Sequence, residues 1–144
     1  MTQRPNLIEG DSLAEYVDIV RNQDVLAFLE RVRPSCHSDN GAVLLNAAID
    51  KCGEWIAFSP SFKNYRYVAL VTNRVVFALG IGQSSVYFRL PDRLHSTALA
   101  TGAVPANEIG GKWVSIELFR SEWPDPDVPF WTLRAYSAAR QIEE

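Results

Sequence analysis

At 144 residues, 47% of them apolar, and with a formal net charge of -3, the chain is sized for one domain, residues 1–144, whose core needs neither metal nor disulfide. No stretch approaches the ~20 uncharged apolar residues of a membrane span, and MTQRPNLIEGDS has no signal-peptide core, so the expectation is a bacterial-type cytoplasmic protein with no membrane association. Cys36 and Cys52 fall short of a disulfide framework, and Cys36-His37 with the distant His95 lacks the spacing of a four-ligand metal site.

Residues 1–10 read as a loose arm. Ser12-Leu13-Ala14-Glu15 has the form of a capping box, followed by an apolar stripe of Leu13, Tyr16, Val17 and Val20. The stripe resumes out of phase at Val25, Leu26, Leu29 and Val32, with Asp24 as a new cap, so two short helices are predicted before Pro34. Asn40 caps a further helix over residues 42–52, whose Leu45, Ala48, Ile49 and Cys52 share a face, and Gly53 ends it. Glu54 to Phe58 alternates as a short strand.

A three-strand meander follows in YRYVALV, RVVFALGI and SVYFRL. A two-residue turn at Gly82-Gln83 would set Leu79 opposite Val86 and Phe77 opposite Phe88, and a turn at Thr72-Asn73 would set Leu70 opposite Val75. Both registers collect Val68, Leu70, Val75, Phe77, Leu79, Val86 and Phe88 on one apolar face. Alternation then places Tyr65, Tyr67, Ala69, Val71, Arg74, Val76, Ala78, Tyr87 and Arg89 on the other, with Tyr67, Ala78 and Tyr87 in one row.

Pro91-Asp92 opens a helix that Gly102 closes near Thr101. Lys112 to Phe119 is the next strand, with Val114, Ile116 and Leu118 on its apolar side and Trp113, Ser115 and Glu117 on the other. The prolines and acids of residues 121–127 exclude regular structure there. Asp127 caps a last helix with Pro129 in its first turn and a buried side of Val128, Trp131, Ala135, Tyr136, Ala139 and Ile142. The fold predicted is α+β: an antiparallel sheet of four or five strands, a meander plus a strand after a helical crossover, packed by N- and C-terminal helices.

Charge is unevenly spread, +4 over residues 55–112 against -4 before and -3 after. Tyrosines flanked by arginine on a sheet can stack planar groups while guanidinium groups hold anions. The candidate ligand-binding residues are therefore Tyr67, Tyr87, Arg66, Arg74, Arg89 and Arg93, set against the alternative that helices simply cover this face. A second surface is the aromatic ridge of Trp123, Phe130 and Trp131, suited to a partner such as a second copy in a homodimer. The sequence presents no nucleophile with its base, no dinucleotide loop at Gly80-Ile81-Gly82 and no metal ligand set, so no catalytic residue and no cofactor are assigned. A non-catalytic binding or interaction protein is the first expectation. A nucleic-acid or anion binder is the alternative, disfavoured by the acidic balance, and an enzyme of unrecognised type is third.

VYFRLPDRL, a short helix, AVPANEIGGKWVSIELFRS, an acidic proline-rich loop and a final RAYSAAR helix together resemble the C-terminal half of the MmcQ/YjbR family of small bacterial proteins. The likeness rests on the strand ending at Leu90-Pro91, the strand opened by Gly111-Lys112-Trp113 and the aromatic-serine pair Tyr136-Ser137, and covers residues 75–140. It implies an α+β, frataxin-like architecture in a family without an established enzymatic activity, for which DNA binding has been suggested, and it transfers no catalytic residue. The N-terminal half departs from that family.

Overall fold

The computed structural model describes residues 6–9, 24, 25, 27, 28, 44, 46–49, 52, 56–59, 68–81, 85–117 and 128–141. Among them run strands β1 (Asn6–Glu9), β2 (Ile56–Ser59), β3 (Val68–Thr72), β4 (Val75–Ile81) and β5 (Ser85–Arg89), helix α1 (Asp92–Ala100), strands β6 (Val104–Pro105) and β7 (Trp113–Glu117), and helix α2 (Val128–Arg140). The Ser12 to Glu15 capping box, Cys36, His37, Tyr65, Arg66, Tyr67, Leu118, residues 121–127 and Ile142 lie outside the described residues.

The fold is α+β. Its sheet runs β1-β2-β3-β4-β5-β7-β6, and the five strands expected from the sequence form its antiparallel centre. Two edge strands are added. Asn6–Glu9, expected in a loose arm, pairs parallel with β2, and two-residue β6 pairs with β7.

The hairpin registers differ from those predicted, in an instructive way. Asn73 and Arg74 hold φ of 53° and 59°, the two left-handed residues of a type I′ turn, so Thr72 pairs with Val75. Relative to the predicted Leu70–Val75 pair, β3 has moved by two residues, and an even shift leaves every side chain on its expected face. In the second hairpin Ile81 pairs with Ser85, leaving residues 82–84 as the connection, and Ala78 rather than Phe77 lies opposite Phe88. This shift is odd and would turn β4 over. A β-bulge corrects half of it: the register to β3 changes between Leu70 and Val71, leaving Phe77 as the extra residue between Ala78 and Val76. Val75 and Phe77 therefore join Phe88 in the main core as expected, whereas Leu79 and Ala78 exchange faces.

The main face, carrying Val68, Leu70, Phe77, Val86, Phe88, Val114 and Ile116, is packed by Val128, Trp131, Ala135 and Ala139 of α2, by Ala98 of α1 and by helical Leu44, Ala47 and Ala48. The α2 residues follow the three-to-four spacing of a single buried stripe. Of the stripe expected over residues 42–52, Ala48 is buried and Cys52 packs against the main core, joined there by Leu44 and Ala47; Ile49, expected inside, is 46% exposed, and Leu45 lies outside the described residues. The α1 boundaries match expectation: Pro91 precedes the first turn and Gly102, at φ 109°, follows the Thr101 cap.

Asn73 ties the hairpin to α2. Its side-chain Nδ2 donates to the Ala139 carbonyl at 3.0 Å, satisfying one of the acceptors a helix end leaves open, and Arg140 Nη1 reaches Thr72 Oγ1 at 3.5 Å.

Candidate functional site

The opposite face of the sheet is also roofed. Ala69, Val71, Val76, Leu79 and Trp113 pack under Val25, Phe28, Ala106 and Ile109, all 5% exposed or less. Helical Asp24, Val25, Ala27 and Phe28 and the loop between β6 and β7 form this roof. Among the described residues, half-buried side chains on this side of the sheet lie in a strip along β5 and β7.

Residues two apart on a strand share a side, so Ser85, Tyr87 and Arg89 line the strip from β5. Their cross-strand partners on β7 are Glu117, Ser115 and Trp113 respectively. Ser85 Oγ donates to Glu117 Oε1 at 2.7 Å, and the Tyr87 phenol is hydrogen-bonded to Ser115. The Phe28 ring leans over Tyr87 with centroids 6.4 Å apart and planes inclined at 51°. Tyr87, Arg89 and Ser115 are all half-buried.

Burial dominates the electrostatics of the strip. It raises the Tyr87 pKa above the ordinary phenol value, against the Ser115 hydrogen bond and with the help of the Glu108 and Glu117 charges. It lowers the Arg89 pKa, opposed by the Asp24 carboxylate, and the guanidinium stays charged at neutral pH. The phenol is correspondingly neutral.

Asp24 reaches this corner because residue 110 has no side chain. A Cβ built on Gly110 would collide with Asp24 Oδ2, with Asp24 Cγ 3.5 Å and Trp113 Cδ1 3.6 Å from the same point. Asp24 Oδ1 also accepts from the Val25 amide at 2.9 Å. Trp113 itself is fully buried, and its indole Nε1 has no hydrogen-bond partner among the described residues. On the other side of β7, His95 Nε2 donates to the Trp113 carbonyl at 3.2 Å and so pins α1 to the sheet.

Of the residues singled out from sequence, Tyr87 and Arg89 stand together on the strip. Arg74 sits in the β3–β4 turn and exposed Arg93 in the first turn of α1, so neither shares the strip; Ala78 lies on the main face. Arg66 and Tyr67 fall outside the described residues, as does Trp123 of the aromatic ridge. In that ridge Phe130 is 38% exposed while Trp131 is 5% exposed and belongs to the main core. The Phe130 ring meets Trp131 edge-on at 4.8 Å and carries the Arg134 guanidinium 4.7 Å from its centroid.

Sequence reasoning missed Asp24, Phe28, Gly110, Trp113 and Ser115 as neighbours of Tyr87 and Arg89. A signal for two of them was present, since Trp113 and Ser115 alternate onto the less apolar side of their strand; only the β5–β7 pairing adds that this side is also that of Tyr87.

Half-buried Cys52 packs against the main core, where burial pushes its thiol up to about 12 and keeps it protonated. Among the described residues no cluster of three His, Cys, Asp or Glu side chains could hold a metal ion, and no helix is long and apolar enough to cross a membrane. Comparison with protein-family models, curated proteins and solved structures returns no match to this chain.

Proposed function

We propose that this is a non-catalytic binding protein of the cytoplasm that holds its ligand along the β5–β7 strip, through Tyr87, Arg89 and Ser115. One observation carries the reading. A tyrosine and an arginine stand half-buried side by side on a sheet whose two faces are otherwise closed by apolar packing among the described residues. A guanidinium kept partly out of water with its opposite charge only alongside is costly unless another polar group meets it.

The surrounding charges favour this over the nucleic-acid alternative. Asp24 acts on Arg89, Glu108 and Glu117 act on Tyr87, and Lys112 Nζ pairs with Asp92 at 3.7 Å, so the tyrosine and arginine do not stand in a cationic field. A polyanion binder would weaken steeply with salt.

Amide-resolved NMR titration with a library of small polar fragments, and separately with single-stranded DNA at two salt concentrations, tests the reading. Fragment-induced shifts confined to residues 85–89 and 113–117 and lost in Arg89→Ala are expected. Shifts elsewhere, or none in these strands with any fragment, would overturn it, and strong salt-sensitive DNA binding would favour the alternative.

A further inference from the structure

We propose that helical Asp24, Val25 and Phe28 form a lid, lifting from the sheet while the main face stays packed and letting water reach the Trp113 indole and the Tyr87 ring. The lid requires no ligand, so it stands or falls apart from the binding role of the strip. The roof over this face has two halves held in different ways. The loop half is tied to β7 through its backbone: the Ala106 amide donates to the Trp113 carbonyl at 2.9 Å, and the Trp113 amide to the Gly110 carbonyl at 3.1 Å. The helical half closes the face with side chains. Val25 and Phe28 bury their apolar bodies against it, the Phe28 ring leaning over Tyr87, and Asp24 sets its carboxylate beside Gly110, where a Cβ would collide with it.

What lies beneath sets the balance. The Trp113 indole Nε1–H is buried with no hydrogen-bond partner among the described residues, and water arriving under a raised lid supplies one. An unmet buried donor weakens closure by roughly tenfold, the scale of one hydrogen bond. The main face is held more firmly. There α2 lays Val128, Trp131, Ala135 and Ala139 in one stripe and is anchored at its end by the 3.0 Å hydrogen bond from Asn73 to Ala139, while His95 pins α1 to β7 at 3.2 Å. The Thr132 hydroxyl is unmet on that side too, but it lies within this anchored helix. Among the described residues two buried apolar side chains hold the helical roof against the anchored stripe of α2, so the roof is the part of the fold that opens first.

Hydrogen exchange followed by NMR at rising, sub-denaturing urea concentrations tests the lid, with the Trp113 indole Nε1–H, assigned from its loss in Trp113→Phe, as the readout. Its protection is expected to be at least about tenfold below that of the slowest β4 and β5 amides and nearly independent of urea, because a local opening exposes little surface. Val128→Ala weakens the main face, which is packed with the lid up or down. It should lower the protection of the core amides by about tenfold and leave that of the indole unchanged. Phe28→Ala should lower the indole's protection by about tenfold or more. An indole that exchanges in step with the core amides, in urea and in Val128→Ala, is exposed only by global unfolding and overturns the lid. Unaltered indole protection in Phe28→Ala overturns it as well, since the opening then belongs to another part of the chain.

Discussion

Asn73 and Ala139 stand 66 positions apart in the chain and meet through a 3.0 Å hydrogen bond from the Asn73 side chain to the Ala139 carbonyl. The left-handed turn residue thereby caps the C-terminal end of α2, binding the β3–β4 hairpin to the helix that covers the sheet. The adjacent turn residue, Arg74, also has positive φ but is a poor match to it, because a left-handed backbone costs a residue with a Cβ roughly 1–2 kcal/mol. Opposite effects from one substitution at neighbouring positions are expected. Asn73→Gly should destabilise by about 1 kcal/mol through the lost cap, while Arg74→Gly should stabilise by about 0.5 kcal/mol after the arginine's own interactions are lost. Urea denaturation of the two variants checks both signs.

Phe77 is the bulge residue of β4, fully buried and edge-on to Tyr136 of α2 with ring centroids 5.7 Å apart and planes at 71°. Phe77→Ala should cost about 3–5 kcal/mol. A double-mutant cycle with Tyr136→Leu should return a coupling of about 0.5–1.5 kcal/mol for the ring pair. A coupling near zero would show that only burial matters there.

Thr132 lies fully buried on the packed side of α2, and its hydroxyl has no partner among the described residues. Valine keeps the branched shape and removes the unmet polar atom. Thr132→Val should therefore raise stability by about 1 kcal/mol, read as a higher denaturation midpoint at unchanged m-value. A loss of stability would mean that the hydroxyl is satisfied in solution.

Trp131 and Phe130 are adjacent but should behave differently. Trp131→Ala removes a core side chain and should destabilise by about 3–5 kcal/mol, whereas exposed Phe130→Ala should change stability by less than about 1 kcal/mol. For a homodimer through this ridge, Phe130→Ala is the informative variant, and light scattering over a concentration series reads it. A fall in apparent mass for Phe130→Ala with an unaltered melting curve would place the contact at that ring.

The Cys52 thiol titrates at about 12 in the folded chain against 9.0 for an ordinary thiol. Between these values the unfolded chain has released the proton and the folded chain has not, so stability is complete below pH 9 and falls as pH rises toward the folded value. The slope is at most ~1.4 kcal/mol per pH unit, reduced by solvent because the thiol is only half-buried. Cys52→Ala should flatten the loss measured by urea denaturation between pH 8.5 and 10, as a direct comparison with the parent chain. The raised Tyr87 pKa acts in the same direction, beginning above its ordinary value of 10.0.

The sequence by itself determined whatever is encoded within a single element. Alternation set the phase of β5 and β7, Pro91 and Gly102 bracketed α1, and the spacing of Val128, Trp131, Ala135 and Ala139 marked the buried side of α2. These are local properties, since side-chain direction repeats with the backbone and a cap depends on its own few residues. Tertiary structure decided what depends on matching distant segments. The bulge at Phe77, which puts Leu79 and Ala78 on the faces opposite to those expected, exists only in the pairing of β4 with β3, because the extra residue is defined by what its neighbour strand lacks. The convergence of Asp24 with Arg89 and Trp113 is of the same kind: it requires a helical residue from early in the chain to reach the β6–β7 loop at the one point where Gly110 leaves room. No local period carries that information, so the corner becomes visible only once the chain has closed over its sheet.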